Sequence, residues 1–376
     1  MSATNSENLD PIVQRWVEQI RQAKESNKPL VIQGSGSKAF YGHTTAGEVL
    51  SLTDYQGIID YEPSELVVTV KCGTPLAELE NVLSKEHQFL PFEPPHFGPN
   101  ATVGGCIAAG LAGPRRAQVG GVRDFVLGVK LIDGHGQWMT FGGQVMKNVA
   151  GYDVSRLVTG SLGTLGILSE VSIKVLPKLP KELTLKQPMA QKDALQKLNE
   201  WAAQPIPMSA SLWHDGQLYV RLSGASSALD IAQEIITGTV VEHDEAVHLW
   251  QQVREQEHSW FTAAMKKMAD HPHHQLWRLS VPSTSGPILD QCDQLIEWGG
   301  ALRWCVTDLS PDVIRAEAEK VGGTASIFRS QGNDLVEGLF KFHPLSPVVL
   351  QLQKKLKEKF DPAGILNPGK IYPGEL

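Results

Sequence analysis

The first half of the chain alternates helical and extended hydrophobic patterns. Asp10 and Pro11 form a good helix start, because aspartate caps free N–H groups and proline suits the first helical turn. Apolar residues then recur at helical spacing over Ile12–Ile20, and a second helical pattern covers Thr74–Glu86. Short apolar or β-branched runs predict strands at Leu30–Gln33, Leu66–Val70, Phe125–Ile132 and Val171–Val175. This mixture, joined by long loops, predicts an α+β domain and not a regular doubly wound sheet.

The second half predicts a different sheet. Its strand patterns lie at Leu218–Leu222, Gln275–Leu279 and Ala301–Val306, and its helical patterns at Ala228–Ile236 and Pro311–Lys320. We expect an antiparallel sheet with helices on one face, in a ferredoxin-like arrangement. A last helix begins near Ser346 and runs through three apolar positions, Val349, Leu352 and Leu356.

The run Leu176–Lys181 predicts a domain boundary, because its two prolines end a strand and begin a linker. We therefore expect a first domain over residues 1–180 and a smaller α+β domain over 181–345. The C-terminal segment, residues 346–376, is expected to return to the first domain.

Composition limits the function classes. The chain has 376 residues, 41% of them hydrophobic and 20% charged, and a net charge of −7, which argues against a broad nucleic-acid or anionic-membrane surface. No run approaches the ~18 apolar residues of a spanning helix, and the first residues lack a secretory signal, so a cytoplasmic location is expected. The four cysteines, Cys72, Cys106, Cys292 and Cys305, show no cluster spacing. We expect them to be reduced, without an iron–sulfur cluster of their own.

Four glycine-rich segments carry the candidate chemistry. They are Gln33–Lys38, Thr102–Gly105, Lys147–Asp153 and Gly160–Ile167. Glycine lets the backbone approach a bulky ligand, and successive exposed N–H groups suit a pyrophosphate. Taken singly, each segment is also explained as an ordinary turn or a tightly packed stretch. None matches a P-loop or a Rossmann fingerprint.

Together these segments resemble the FAD-binding domain of the vanillyl-alcohol-oxidase family, also called the PCMH-type flavoproteins. The resemblance covers residues 29–177, and Phe360–Lys370 is similar to the closing segment of the family's FAD-linked oxidases. It implies a two-subdomain FAD-binding domain, a cap domain and FAD as cofactor. The residues implied to bind FAD are Gly34, Ser35, Gly36, Ser37 and Lys38 at the pyrophosphate, Thr102, Val103, Gly104 and Gly105 beside the flavin, and Gly163, Gly166 and Ile167 at the adenosine half.

Within the family, Gly113–Arg116, Val122–Gly128 and Lys147–Asp153 resemble the FAD-binding subunits of bacterial glycolate oxidases. This resemblance implies a complex with a larger FAD-linked oxidase subunit and an iron–sulfur subunit. Such a complex oxidises glycolate, a 2-hydroxy acid, to glyoxylate and passes electrons toward a quinone. It also allows a peripheral position at the inner membrane through the partner subunits.

The chain departs from the family pattern at several positions. Ser37 and Lys38 stand where family members with histidyl-linked flavin carry histidine, and Cys106 is expected to be a small buried residue, so we expect non-covalent FAD. The metal-binding histidine and glutamate motifs of related hydroxy-acid dehydrogenases do not occur. His271–His274 suggests a solvated loop, and no metal is expected.

The catalytic residues are left open by the sequence. Arg329 is a candidate for pairing with a substrate carboxylate, and His343 is a candidate base, although both residue types more often pack or form surface ion pairs. The chemistry is alternatively carried out on the partner flavin subunit. A self-sufficient FAD dehydrogenase of another hydroxy acid and a cofactor-free scaffold subunit are the two other possibilities.

Overall fold

The computed structural model describes residues 9–143, 153–331 and 339–376. Within these ranges no helix is long and apolar enough to cross a membrane. The helices are α1 (Pro11–Ser26), α2 (Leu76–Lys85), α3 (Val103–Ala109), α4 (Arg116–Val119), α5 (Val154–Val158), α6 (Gln191–Ala202), α7 (Ser226–Ile235), α8 (His243–Glu255), α9 (Ser259–Asp270), α10 (Pro311–Lys320) and α11 (Pro347–Phe360). The strands are β1 (Leu30–Gln33), β2 (Glu48–Ser51), β3 (Ile58–Glu62), β4 (Val67–Lys71), β5 (Gln88–Phe89), β6 (Val126–Ile132), β7 (Trp138–Gly142), β8 (Ile167–Lys174), β9 (Leu176–Pro177), β10 (Lys181–Pro188), β11 (Met208–His214), β12 (Gln217–Gly224), β13 (Thr239–Val240), β14 (Gln275–Ser280), β15 (Gln294–Glu297), β16 (Leu302–Thr307) and β17 (Thr324–Ser330).

The chain divides into two compact units. The first contains Met1–Leu111, Gly121–Pro177 and Pro344–Leu376, and the second contains Ala112–Gly120 and Lys178–His343. The predicted return of the C-terminal segment to the first domain is confirmed, because α11 and the residues after it belong to the first unit. The short stretch Ala112–Gly120, which includes α4, belongs to the second unit.

One part of the first unit is built on α1 and the parallel pair β1 and β2. The predicted cap of α1 is confirmed, since the Asp10 carboxylate accepts the N–H of Ile12 over 2.9 Å. One face of α1 is buried in a cluster that also contains Leu30 and Leu50; its residues are Val13, Trp16, Val17 and Ile20. The C-terminal segment extends this small sheet, because Leu366 forms a parallel bridge with Leu30.

The other part of the first unit is a five-stranded antiparallel sheet of order β3-β4-β8-β6-β7. The three strands predicted from sequence, β4, β6 and β8, are its centre, whereas the edge strands β3 and β7 were not predicted. Central strands are covered on both faces and read as continuous apolar runs, so they leave the stronger sequence signal.

The second unit contains an eight-stranded sheet of order β13-β10-β12-β11-β15-β16-β14-β17, antiparallel throughout. Its first half follows the connectivity β10-α6-β11-β12-α7-β13, which is the ferredoxin-like pattern. Its second half repeats the same strand order with β14, β15, β16 and β17. The two halves join edge to edge through β11 and β15, so the ferredoxin-like prediction is confirmed in a duplicated form.

The prediction that helices cover one face of this sheet is wrong. Helices α6, α7 and α10 bury their apolar sides in the clusters on one face, which include Leu185 and Cys305. Helices α8 and α9 lie on the other face. There Trp250 of α8 donates to the Thr184 hydroxyl over 2.9 Å, and the Phe261 ring of α9 lies 5.5 Å from the Trp304 ring. The sheet is therefore buried on both sides, like the core of a three-layer structure.

Candidate cofactor-binding site

The first glycine segment forms a bend directly after β1. Gly36 adopts a φ of +78°, a conformation that glycine adopts without strain. Among the described residues, the backbone N–H groups of Ser35, Gly36 and Ser37 donate to no protein acceptor. Three successive unpaired amides are the donor set that a pyrophosphate requires, so this loop fits the dinucleotide.

Lys38 closes the bend on one side. Its ammonium group donates to the carbonyl of His96 over 3.1 Å and lies 5.7 Å from the Phe97 ring. A Cβ built on Gly98 would lie 3.8 Å from Ser37 Cβ, so the residue after Phe97 also approaches the loop. The segment around His96 therefore flanks the first loop and orients the cationic side chain nearest to it.

The second segment begins α3, and its amides are used inside the protein. The Thr102 hydroxyl caps the helix by accepting the N–H of Gly105 over 3.2 Å. The N–H of Val103 donates to Thr74 over 2.9 Å, and the N–H of Gly104 donates to Cys72 over 2.7 Å. The amides of Val103, Gly104 and Gly105 are therefore engaged within the protein, so a contact between these three residues and FAD would come from the surface of the helix.

The two glycines of this segment face different surroundings. A Cβ added to Gly104 would lie 2.7 Å from Cys72 Cβ, so Gly104 is required for packing inside the protein. A Cβ added to Gly105 would meet only the Thr102 hydroxyl, at 3.1 Å. Gly105 thus presents an open side, as a residue beside a flat ligand would. The same hydroxyl would lie 2.3 Å from a Cβ on Gly34, which brings the first loop against the start of α3.

The glycine segment Gly160–Ile167, called the third segment from here on, is attached to the other end of α3. The N–H of Gly160 donates to Ile107 over 3.0 Å, and the N–H of Leu162 donates to Ala108 over 2.9 Å. A Cβ on Gly166 would lie 2.7 Å from the carbonyl oxygen of Ile132, and the Ile167 side chain is fully buried in the core. Gly166 and Ile167 therefore have only backbone atoms to offer a ligand.

Asn367 of the closing segment connects the first and third segments. Its amide oxygen accepts the N–H of Ile32 over 2.7 Å, and its amide nitrogen donates to the carbonyl of Leu162 over 2.7 Å. A Cβ on Gly163 would lie 2.7 Å from the same nitrogen. The structure thus brings the first, second and third glycine segments together around α3 and Asn367. The remaining glycine segment, Lys147–Asp153, lies outside the described residues except for Asp153, which caps α5.

Cys106 is buried on α3 with 2% of its surface exposed. Burial raises the pKa of its thiol to about 12, an effect that nearby Lys38 opposes. The thiol is therefore neutral at physiological pH and a poor nucleophile. This agrees with the expected role of a small buried residue.

The two catalytic candidates are not brought together. The Arg329 guanidinium lies 3.4 Å from the side-chain oxygen of Gln256, at the end of α8, and burial lowers its pKa to about 10. His343 accepts the N–H of Ala325 through Nδ1 over 3.3 Å, while its Nε2 lies 3.3 Å from Glu319 of α10. Because α8 and α10 lie on opposite faces of the sheet, these residues do not form one acid–base pair.

Other expectations concern metals and the last helix. His271 and His273 are exposed in a turn, as predicted, and no group of three potential metal ligands occurs in the described part of the chain. The predicted last helix is present as α11, but two of its apolar residues are exposed, Val349 by 42% and Leu352 by 55%. Its buried residue is instead Lys357. Lys357 forms an ion pair with Asp361, one helical turn further along the chain. That spacing of a lysine and an aspartate was the sequence signal that could have predicted the pair.

The comparisons with known proteins agree with this geometry. A family model described as an FAD binding domain matches residues 13–142, and one described as FAD linked oxidases, C-terminal domain, matches residues 343–371. A curated relative is 43% identical over 96% of this chain and 97% of its own length. The chain therefore belongs to the FAD-linked oxidase family, and it is an FAD-dependent oxidoreductase. That relative is the glycolate oxidase subunit GlcE of Escherichia coli strain K12.

Two further proteins are similar to this chain, one in sequence and one in structure. The glycolate oxidase subunit GlcD of Bacillus subtilis strain 168 is 33% identical over 43% of this chain and 34% of its own length. A solved structure of alkyldihydroxyacetonephosphate synthase matches with a TM-score of 0.63 at 15% identity, over 94% of this chain and 74% of that one. At that identity the match concerns the fold alone. The family resemblance inferred from the glycine segments is thus confirmed.

Proposed function

We propose that this chain is the FAD-binding subunit of a multi-subunit glycolate oxidase, which oxidises glycolate to glyoxylate. The observation that carries the proposal is the 43% identity to the glycolate oxidase subunit GlcE, extending over almost the full length of both chains. A match of this extent includes the second unit as well as the FAD-binding part. It therefore favours a shared role in a complex over a shared cofactor fold alone.

We infer that FAD lies along the three segments around α3. The unpaired amides of Ser35, Gly36 and Ser37 support a pyrophosphate position at Gly34–Lys38. The open side of Gly105 supports a flavin position beside Thr102–Gly105, and the adenosine half is assigned to the backbone of Gly163, Gly166 and Ile167. The bound flavin supplies the acceptor for the hydride of the substrate carbon. The cofactor is proposed to be non-covalent, because the Cys106 thiol is buried and neutral.

Neither of the two catalytic candidates is placed as a proton acceptor for the substrate hydroxyl in the described part of the chain. His343 Nδ1 already accepts a backbone N–H, and Nε2 lies beside Glu319, so the ring is oriented for packing. Buried Arg329 stays cationic at pH 7, which suits a carboxylate. Its guanidinium lies against Gln256, whereas His343 lies beside Glu319, so the two candidates do not act as one pair. We infer that this subunit binds FAD and transfers electrons, and that efficient oxidation of the 2-hydroxy acid needs the assembled complex.

We propose a larger FAD-linked oxidase subunit and an iron–sulfur subunit as partners. The similarity to GlcD of Bacillus subtilis supports a second, related flavin subunit. Electrons would pass from the flavins to the iron–sulfur subunit and then to a quinone. The proposed location is cytoplasmic, with peripheral contact at the inner membrane through these partners. A self-sufficient dehydrogenase of another hydroxy acid is the alternative, favoured only if the isolated chain turns over.

Reconstitution tests the proposal. The tagged chain is purified from native extract, its partners are identified, and glycolate-dependent dye reduction is compared for the isolated chain and the complex. A positioned acid–base group typically contributes ~10²–10⁴-fold in rate, so the isolated chain should be slower by that order. Arg329→Ala and His343→Ala in the complex then report whether this chain contributes chemistry. Equal turnover by the isolated chain would contradict the subunit assignment.

A further inference from the structure

Two free cysteines, Cys292 and Cys305, pack into the same cluster of the second unit. In the sequence they lie far from the segments of the candidate cofactor site. Cys305 lies in the middle of β16, where its Cα partner on β15 is Gln294. Cys292 stands two residues before Gln294, and so it precedes β15 on the side of Cys305. Both cysteines pack into one cluster, which also contains Trp277 and Leu289. The fold therefore brings together two thiols that show no motif spacing in the sequence.

The two thiols have unequal surroundings. Cys305 is 1% exposed, whereas Cys292 is only partly buried and reaches solvent. The thiol of Cys292 interacts with the thiol of Cys305 and the hydroxyl of Thr307, and these contacts lower its pKa to about 6. The same contact, together with burial, raises the pKa of Cys305 well above its usual value. Cys292 is thus the more accessible and more acidic thiol of the pair, and Cys305 is the protected thiol beside it.

This combination defines a redox site. Reactive cysteines that sense oxidants are accessible thiolates with a resolving thiol next to them. We propose that Cys292 and Cys305 form a reversible thiol–disulfide modification site, with a peroxide as oxidant. The other two cysteines serve as internal contrasts, because Cys72 and Cys106 are both buried and burial raises the pKa of each.

The chemistry is balanced by the peroxide. The Cys292 thiolate attacks one peroxide oxygen, the O–O bond breaks, and a sulfenic acid forms; the hydroxide (or alkoxide) that leaves takes a proton from solvent to give water (or an alcohol). The Cys305 sulfur then attacks the sulfenyl sulfur, the S–S bond forms, and the hydroxyl group leaves as water with the Cys305 proton. The two thiols lose two electrons and the peroxide gains them. A dithiol reductant reverses the step by thiol exchange.

The modification would act on the connection between β14 and β15. Buried Arg303 already holds this connection through the carbonyls of Ser285 and Gly286, at 2.8 and 2.9 Å. Next to Cys292, the Asp293 carboxylate accepts the indole N–H of Trp260 from α9 over 2.8 Å. A disulfide would add a covalent link from the end of this connection to β16. It would therefore stiffen the contact between the connection and α9.

Peptide mapping tests the proposal directly. The FAD-loaded protein is treated with hydrogen peroxide, remaining thiols are alkylated, and the protein is digested without reduction. Trypsin cuts after Arg303 and so separates the two cysteines, which makes a Cys292–Cys305 linked peptide diagnostic. We expect this linked peptide to lack two hydrogens relative to the two free peptides, to accumulate with peroxide dose and to vanish on treatment with a dithiol.

Variants assign the two roles. In Cys305→Ala, Cys292 should accumulate as a sulfenic acid that dimedone traps, whereas Cys292→Ser should abolish both products. Cys72→Ser and Cys106→Ser should leave the linked peptide unchanged. If Cys305→Ala does not fold, the pH profile of iodoacetamide labelling at Cys292 in the wild type decides, with half-maximal rate expected near pH 6. No linked peptide in wild-type protein, labelling that rises only near the ordinary thiol pKa, or equal oxidation of Cys72 and Cys106, would each overturn the proposal.

Discussion

Lys357 and Asp361 form a buried ion pair one helical turn apart, with Nζ and Oδ2 separated by 2.6 Å and side chains 11% and 0% exposed. The Lys357 ammonium also donates to the carbonyls of Thr164 and Leu366, each over 2.8 Å. Asp361 in turn accepts the N–H of Leu366 over 2.8 Å. This pair thus joins α11, the third glycine segment and the closing segment. Burial lowers the pKa of Lys357, and the neighbouring Asp361 opposes that shift.

Lys357→Met should strongly destabilise the first unit. Removing one partner of a buried pair leaves the other charge without compensation and typically costs about 3–5 kcal/mol. Denaturant unfolding should show this loss of unfolding free energy. On the same helix, Lys354→Met breaks a more exposed pair with Glu375 and should cost less than about 1 kcal/mol. Similar losses in the two variants would mean that the buried pair does not stabilise the fold.

The adjacent glycines of α3 should respond to substitution in opposite ways. Gly104→Ala places a Cβ 2.7 Å from Cys72 Cβ, so it should reduce unfolding free energy by roughly 1–3 kcal/mol from overpacking. Gly105→Val points into the open side of the helix, so the protein should fold but lose FAD. Flavin absorbance per protein and far-ultraviolet circular dichroism measure the two effects. A folded Gly105→Val protein with full FAD content would remove this segment from the cofactor site.

FAD should be released when the protein is denatured. Acid precipitation should leave the flavin in the supernatant, and Cys106→Ser should retain the same FAD content as wild type. At 100 to 1,000 times Kd, free FAD should stabilise the fold by roughly 2.7–4 kcal/mol, so the apo-protein should melt at lower temperature. Flavin that stays with the precipitated chain would contradict non-covalent binding.

The stability of the second unit should fall in mild acid because of His258. Its Nδ1 accepts the N–H of Trp260 at the start of α9, and its ring lies 5.9 Å from that of His214. Burial, and then the neighbouring His214, lower the pKa of His258 in the folded protein. The unfolded chain therefore takes up a proton at this position first, and stability falls as pH drops below about 6.5.

His258→Asn tests this assignment because asparagine keeps a capping acceptor without titrating. Thermal unfolding between about pH 7.5 and pH 5.5 should show a smaller decrease in Tm for the variant than for wild type. His214→Asn is the matched control, since it removes the neighbouring charge and should weaken the pH dependence only partly. Parallel pH profiles for wild type and His258→Asn would assign the acid sensitivity to other groups.

Local patterns predicted the elements whose signals lie within a few residues. The aspartate–proline start of α1 and the full length of α10 were predicted directly, and so were β1 and the central strands β4, β6 and β8. Caps, turns and periodic apolar residues are signals that extend over only a few neighbouring residues, so they can be recognised in the sequence before the fold is known. The glycine segments likewise indicated the family, because each is a short string of residues and together they occur in the order that the resemblance requires.

The directions in which these elements face were decided by tertiary structure. Sequence treated Gly104 and Gly105 alike, but only the approach of Cys72, distant in sequence, makes one of them a packing residue. The sequence predicted a helix through Val349 and Leu352, but only the fold shows that these two residues face solvent while Lys357 is buried. Arg329 and His343 are close in sequence, yet they engage helices on opposite faces of one sheet. Whether a side chain is buried, and which side chains lie near it, depends on contacts between segments that are distant in the sequence. Those contacts form only when the chain folds.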